Sequence, residues 1–313
     1  MRSRSDSPTV RPSDVFLGAD AGGSHSTVVL GAPDLTVLSR ADGPAAAMRP
    51  GGGVATATVL AETARRAATQ AGVELPVERA VVGAAGAGRA QEQAELAAAL
   101  IAAGVAHRVR VLADAEVALT SAFGGGPGML LTAGTGSIAF ARDATGRLHR
   151  AGGYGWQLGD EGGGYWVGRS ALAVAARAHD GRGEGSTLLA RLLGALGLQQ
   201  FDDLVRWTAT ATPAQVAALA PHVLNAAREG EAVARQTVAA AANELAELVA
   251  ALVRYFPGSD PVPVALAGGL LLPHSPLTAA LGERLSTRLN RARLLSDRID
   301  VALGALRLAA ALD

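Results

Sequence analysis

The chain has 313 residues, of which 49% are apolar, and its formal net charge is zero. That length is enough for two domains with substantial cores, and the balanced charge gives no electrostatic case for binding nucleic acid or an anionic membrane. The chain contains no cysteine, which excludes disulfides, thiolate zinc sites and iron–sulfur clusters. It also contains no lysine, so a P-loop lysine or a Schiff-base lysine is excluded.

The two segments that could direct the chain to a membrane do not have the required pattern. Residues 1–14 carry arginines, serines and prolines but no apolar run, which predicts a disordered leader rather than a signal peptide. The most apolar helical pattern, at about 238–253, is interrupted by Asn243, Glu244 and Glu247. We therefore expect a soluble, cytoplasmic protein with no membrane partner.

The first half of the chain predicts an antiparallel meander followed by alternating helices and strands. Three β-rich runs, Val15–Ala19, Thr27–Leu30 and Leu35–Leu38, are joined by tight turns. The elements predicted after them are a helix at 54–71, a strand at 80–82, a helix at 91–103 and a strand at 108–112. We expect an N-terminal domain at 15–115 and a C-terminal domain at 116–313, with the terminal helix free to pack back onto the first domain.

The second half repeats this plan. A buried strand at 129–131 leads through a glycine-rich turn into strands at 138–141 and 147–149, so the turn belongs to a β-hairpin. The later predicted elements are helices at 165–178 and 232–254, a strand at 262–267 and a terminal helix at 301–312. The sequence therefore predicts an α/β protein built from two similar halves.

Each half begins with a hairpin whose turn is suited to phosphate. The turns are Asp20-Ala-Gly-Gly-Ser24 and Ala133-Gly-Thr-Gly-Ser137, and glycine lets backbone N–H groups approach an anion closely. Taken singly, each is better explained as an ordinary tight turn. The second turn also satisfies the G-x-G-x-x-G/A dinucleotide pattern, but that pattern needs a helix directly after the glycines, where a strand is predicted here.

These motifs, in this order, resemble the BadF-type ATPase family of the sugar kinase/actin-like ATPase superfamily, which includes N-acetylglucosamine kinase. The matching segments cover the chain from about Val15 to Leu312 and are Gly18–Ser24, Gly86–Arg89, Asp114-Ala115, Gly134–Ser137, Gly153–Trp156, Gly159–Gly162 and Ala267–Gly269.

The resemblance implies two duplicated actin-like ATPase (ribonuclease H-like) domains, each with a mixed sheet flanked by helices, and a cleft between them. It implies ATP-dependent phosphorylation of the 6-hydroxyl of an amino sugar such as N-acetylglucosamine or glucosamine. The implied cofactors are ATP and Mg²⁺. The implied partner is a small-molecule sugar, and a homodimer is possible.

The resemblance also assigns roles to particular residues. Asp114 matches the catalytic base, although aspartate in this position is also a good helix N-cap. Asp20 matches the acid that positions magnesium through water. The expected nucleotide-binding residues are Gly22, Gly23, Ser24, Gly134, Thr135, Gly136, Gly230, Gly268 and Gly269. The expected sugar-binding residues are Asp114, Ser137, Gly153, Tyr154, Gly155 and Asp160.

The chain departs from the family pattern at two positions. Relatives carry sugar-contacting asparagines where this chain has Ala46 and Ile138, and the loss of such hydrogen bonds can change selectivity greatly. A kinase of another hexose and a non-catalytic, regulatory ATP-binding protein of the same fold therefore remain alternatives. The family's iron–sulfur dehydratase activators are excluded by the lack of cysteine.

An aromatic cluster in the second half is open to two interpretations. Tyr154, Trp156, Tyr165 and Trp166 lie close in sequence in a chain that is only 4% aromatic. They could form a wall for a sugar ring or a hydrophobic core under the loop, and the core is favoured.

Overall fold

The computed structural model describes residues 14–23, 25–183, 186–296 and 299–312, so the leader lies outside it up to residue 13. The chain forms two compact units. The first comprises the residues up to Gly124 together with those from Ile299 onward, and the second comprises Gly125–Arg298. The first unit thus ends after the helix that begins at Asp114, rather than at residue 115.

The first unit is built on a mixed sheet. Its elements are β1 (Phe16–Ala21), β2 (His25–Gly31), β3 (Val37–Pro44), α1 (Gly53–Ala71), β4 (Val77–Ala84), α2 (Ala90–Ala102), β5 (Ala106–Ala113) and α3 (Asp114–Phe123). Among the described residues the strand order is β3-β2-β1-β4-β5. The β1–β2 and β2–β3 pairs are antiparallel, as the meander predicted, whereas β4 and β5 join in parallel.

The second unit has the same topology. Its elements are β6 (Gly128–Ala133), β7 (Ser137–Arg142), β8 (Leu148–Gly152), α4 (Gly164–His179), α5 (Leu188–Leu196), α6 (Phe201–Thr208), α7 (Pro213–Ala217), α8 (Ala220–Arg228), α9 (Ala232–Val253), β9 (Val262–Ala267), α10 (Pro276–Arg288) and β10 (Ala292–Leu294). In the described residues the order β8-β7-β6-β9-β10 pairs β6–β7 and β7–β8 antiparallel and the other strands parallel. The expected fold class, with a repeated mixed sheet flanked by helices, is confirmed.

The terminal helix α11 (Val301–Ala310) belongs to the first unit. It packs on β1, where Gly18 permits the contact: a Cβ at Gly18 would lie 2.2 Å from the Ala302 carbonyl oxygen. Asp300 caps the helix by accepting a hydrogen bond from the Leu303 N–H at 2.9 Å. The last helix in the sequence therefore helps to form the first unit.

Amphipathic helices cover both sheets. In α1 the buried residues recur at helical spacing, among them Ala57, Leu60, Ala61 and Ala64, and a left-handed Gly72 ends the helix. Helix α9 is the one described helix that is long and apolar enough to suggest a membrane span. Residues along it, including Ala241, Leu245 and Val249, are buried in the core of the second unit, so α9 is a packing helix.

The structure differs from the predicted elements mainly in the second unit. Helices α5, α6, α7, α8 and α10 and strand β10 had not been predicted. Several of these helices are short. Helix α7, for example, has only five residues, which is too few to show a helical period, although Thr212 caps it and Pro213 begins it. In the first unit the predicted start of the third strand at Leu35 is wrong, because Leu35 lies in a turn with φ of 68° and β3 begins at Val37.

Candidate active site

Two acids lie at the carboxyl edge of the first unit's parallel strands. Asp20 is in β1 opposite Gly83 of β4, and Gly83 in turn pairs with Leu112 of β5, two residues before Asp114. The carboxyl ends of parallel strands meet at one edge, where open α/β sheets bind their ligands. The fold therefore brings Asp20 and Asp114 together from positions far apart in sequence.

Both carboxyl groups are mostly buried, and their pKa values are raised. Burial raises the pKa of Asp20 to about 6, and the negative charge of Asp114 acts in the same direction. Burial also raises the pKa of Asp114, against the hydrogen bond that its Oδ1 accepts from the Ala115 N–H at 2.8 Å. Asp114 is the first residue of α3, so its carboxylate also faces the positive end of that helix.

Asp300 extends this acidic group and was missed by sequence reasoning. It raises the pKa of Asp20 and forms an ion pair with Arg40, which lowers the pKa of both Asp20 and Asp300. His25 also lowers the pKa of Asp20. An aspartate just before the terminal helix is visible in the sequence as an N-cap, but its approach to Asp20 depends on where α11 packs.

The loop after β3 lies along the same edge. Ala46 donates its N–H to the Gly22 carbonyl, and Met48 donates to the Ala85 carbonyl. A Cβ at Gly86, where φ is 84°, would lie 2.1 Å from the Met48 carbonyl oxygen, so this turn requires glycine. Ala46 itself is buried, and its methyl group offers no hydrogen bond.

In the second unit the glycine-rich turn between β6 and β7 caps a helix. The Gly134 and Thr135 carbonyl oxygens accept hydrogen bonds from the N–H groups of Gly164 and Tyr165, both at 2.8 Å. These contacts satisfy part of the first turn of α4, which has no side-chain cap at Gly163. The Thr135 side chain is exposed, and its hydroxyl has no partner in the described part of the chain.

A strand, β7, follows the glycines of this turn, as predicted. A dinucleotide-binding fingerprint needs a helix there to hold the pyrophosphate. The structure therefore excludes a dinucleotide-binding fingerprint at this turn.

Asp160 ties this turn to the following loop. Its carboxylate accepts hydrogen bonds from the backbone N–H groups of Gly155 and Ser137, which lower its pKa, but burial raises the pKa more strongly. The residue has a φ of 62°, a conformation that aspartate and asparagine tolerate better than most residues. The Ser137 hydroxyl donates to the Glu161 carbonyl at 2.6 Å, so this side chain, expected to bind sugar, is buried within the loop.

The Gly153–Gly155 segment closes over β7. A Cβ at Gly153, where φ is 71°, would lie 2.3 Å from Cδ1 of Ile138, so Ile138 fills the space beside this turn. Tyr154 is 60% exposed, and the Arg150 guanidinium lies 4.8 Å from its ring centroid.

Three further glycines expected to bind nucleotide, Gly230, Gly268 and Gly269, lie in turns or bends. Gly268 has a φ of 89° and packs on the end of β6, where a Cβ would lie 2.2 Å from the Ala133 carbonyl oxygen. The neighbouring Gly269 is exposed, and Gly230 turns the chain between α8 and α9 with a φ of 100°. Ser24 lies outside the described residues.

The aromatic cluster is mostly not core, contrary to the favoured interpretation. Trp156 is 45% exposed, and its ring centroid lies 5.1 Å from that of Tyr165. Of the cluster, Trp166 packs against the core of the second unit.

No group of three or more histidine, aspartate or glutamate side chains in the described ranges is arranged to hold a metal ion. Magnesium, however, is commonly held by one or two carboxylates, with water and substrate phosphates as its other ligands. Asp20 fits that ligand set, since a cation beside it would offset the burial and the repulsion from Asp114 that raise its pKa.

The chain is similar to known proteins over most of its length. A model of the BadF/BadG/BcrA/BcrD ATPase family matches residues 17–309. The N-acetylmuramic acid/N-acetylglucosamine kinase of Clostridium acetobutylicum is 28% identical over 297 residues, which are 94% of this chain and 97% of that protein. The N-acetyl-D-glucosamine kinase of Dictyostelium discoideum is 29% identical over 202 residues, 63% of each chain. The solved structure of a proposed N-acetylglucosamine kinase from Chromobacterium violaceum is 31% identical in sequence and aligns with a TM-score of 0.78. The alignment covers 95% of this chain and 99% of that protein.

Proposed function

The chain belongs to the BadF/BadG/BcrA/BcrD ATPase family, and from this membership we propose that it transfers the γ-phosphoryl group of ATP to the 6-hydroxyl of an amino sugar, with Asp114 as the general base. Both curated relatives are named as amino-sugar kinases, which supports an ATP-dependent sugar kinase as the enzyme class. The observation that carries the assignment of the base is the environment of Asp114.

Asp114 has the properties that a general base needs. The Ala115 N–H holds one carboxylate oxygen in place, and a carboxylate has further lone pairs to accept a hydroxyl proton. Burial raises its pKa towards neutrality, where a carboxylate is a stronger base. The capping hydrogen bond and the catalytic role are therefore compatible in one residue.

Asp20 is the proposed magnesium residue. Magnesium would supply neutralisation of the phosphate charge, which is the main requirement of phosphoryl transfer. Burial and the negative charge of Asp114 hold the pKa of Asp20 at about 6, and a cation beside the carboxyl group would favour its ionised form.

The exposed Thr135 hydroxyl and the turn around it are proposed to contact ATP phosphate. The turn is held in place because its carbonyl oxygens accept hydrogen bonds from the first residues of α4 and because Gly136 packs against Asp160. Gly268 and Gly269, with Gly230 and the first-unit glycines Gly22 and Gly23, are proposed to bind the remainder of the nucleotide.

Asp160 is proposed to accept hydrogen bonds from sugar hydroxyls, beside Gly153, Tyr154 and Gly155. Its two backbone hydrogen bonds orient the carboxylate and leave acceptor capacity for a ligand. Ala46 and Ile138 supply no amide, so the hexose selectivity is expected to differ from that of relatives with asparagine, and another hexose is the second candidate substrate.

A coupled assay of ADP release tests the proposal. Purified protein with MgATP is screened against glucosamine, N-acetylglucosamine, N-acetylmuramic acid, N-acetylmannosamine and glucose, and the phosphorylated position is read by NMR. We expect sugar-dependent ADP release and a 6-phosphate product. ATP binding without any sugar-dependent ADP release would instead support the regulatory alternative.

A further inference from the structure

A surface cavity in the second unit lies directly beside the proposed sugar-binding loop. It has a volume of about 430 Å³ and is lined by Trp156, Gln157, Gly159, Tyr165, Trp166 and Arg169. That volume is within the range of small-molecule sites. Gly159 immediately precedes Asp160, so the cavity adjoins the carboxylate proposed to hold sugar hydroxyls.

One end of this cavity is aromatic. Trp156 and Tyr165 meet at an angle of 57° with ring centroids 5.1 Å apart, and Trp156 is nearly half exposed. Tyrosine and tryptophan combine a large apolar face with a polar atom, which suits a surface that receives a carbohydrate.

Arg169 supplies the positive charge of the cavity. It follows Tyr165 and Trp166 by one helical turn on α4, and all three residues line the cavity. The side chain is exposed, and among the described residues it has no hydrogen-bond, ion-pair or ring partner. Among the described residues, by contrast, Arg150 lies over the ring of Tyr154.

We propose that this cavity binds a carboxylate-bearing substituent of an amino sugar, with Arg169 as the residue that determines selectivity for the acidic sugar. The inference rests on the proposed sugar kinase function. An unpaired guanidinium offers a planar fork of donors that matches a carboxylate, and the aromatic wall covers the apolar atoms of the substituent. N-acetylmuramic acid, which carries a lactyl carboxylate, is the probe; N-acetylglucosamine, which lacks the lactyl group, is its control.

The experiment compares kcat/KM for the two sugars in wild type, Arg169→Gln and Arg177→Gln. Arg177 lies on the same helix, is exposed and donates a hydrogen bond to the Arg182 carbonyl oxygen. Its substitution therefore controls for the loss of one positive charge from α4. We expect Arg169→Gln to lower kcat/KM for N-acetylmuramic acid by about 10- to 100-fold, mainly through KM, and to change the value for N-acetylglucosamine by less than about threefold. Arg177→Gln should leave both unchanged.

Direct binding separates this proposal from the proposed function. N-acetylmuramic acid is titrated by calorimetry into wild type and Arg169→Gln, with and without a non-hydrolysable ATP analogue. Binding that is lost with Arg169→Gln supports the cavity even if no sugar is phosphorylated, in which case only the kinase assignment fails. Equal loss for both sugars in Arg169→Gln, or no binding of N-acetylmuramic acid to wild type, would overturn the proposal.

Discussion

Gly136 lies directly against the carboxylate of Asp160: a Cβ at position 136 would come within 2.2 Å of Oδ2. No real Cβ makes such a contact, so either the aspartate or the turn would have to move. The glycine of the second hairpin turn is therefore needed for packing, independently of any ligand, and this relationship leads to the first prediction.

Gly136→Ala should lower the stability of the second unit. Overpacking of this kind typically costs about 1–3 kcal/mol, and displacement of Asp160 would also break its hydrogen bonds to the backbone. Chemical unfolding monitored by circular dichroism measures the change. Gly194→Ala is the matched control, because Gly194 lies in α5 with open space around it and alanine favours helix. Equal stability of Gly136→Ala and wild type would contradict the packing argument.

Asp114→Asn should lower kcat by about 10²–10⁴-fold while the protein stays folded. The amide oxygen can still accept the Ala115 hydrogen bond, but it cannot take a proton from the hydroxyl. Steady-state kinetics, thermal unfolding and ATP titration check the three parts of this prediction. Glu116→Gln, in the same first helical turn, is the control for the loss of a negative charge. Retention of most sugar-kinase activity in a folded Asp114→Asn protein would refute the assignment of the base.

Asp20 should make the protein less stable as the pH rises from about 4 to 6. Aspartate in the unfolded chain titrates near 3.8, whereas burial and Asp114 hold the folded pKa at about 6. Within that window the folded state retains a proton that the unfolded chain has lost, so stability falls as pH rises and then levels off above pH 6. The effect amounts to about 3 kcal/mol.

The measurement for Asp20 is chemical unfolding at pH 4 and pH 7.5. Asp20→Asn should match wild type near pH 4 and exceed it in stability at pH 7.5, yet bind magnesium nucleotide more weakly. If wild type gained stability relative to Asp20→Asn over the same interval, the sign of the pKa shift would be wrong.

Asp160→Asn should raise the KM for sugar, with a loss of about 10- to 100-fold in kcat/KM and little change in ATP affinity. Asparagine tolerates the φ of 62° at this position, so the substitution adds no backbone strain that could itself lower activity. Thermal unfolding should also show a lower Tm, because the asparagine NH₂ group cannot accept a hydrogen bond and only the amide oxygen is left to accept from the Gly155 and Ser137 N–H groups. Losses of sugar and nucleotide binding in equal measure would mark Asp160 as structural only.

The local patterns determined much of the fold. Strand and turn signals around Ala133 and Ser137 predicted a hairpin instead of a dinucleotide fingerprint, and β6 and β7 bear this out. The 3.6-residue period predicted α1 and α9 almost to their ends, since both bury a long apolar face. The helices α5–α8 were not predicted; they are only five to nine residues long and pack against one another, α4 and α9.

The sequence by itself also determined which chemistry is excluded, through its lack of lysine and cysteine, and which acids are candidates. Only the tertiary structure decided the environment of those acids. Asp20, Asp114 and Asp300 come from distant parts of the chain, and parallel pairing through β4 together with the packing of α11 on Gly18 makes them interact. Likewise, the sequence does not distinguish Arg169 from the other surface arginines. Only the folded structure shows that Arg169 lines a cavity with Trp156 and has no partner among the described residues. Charge interactions and burial depend on distances through space, which residue spacing along the chain does not specify.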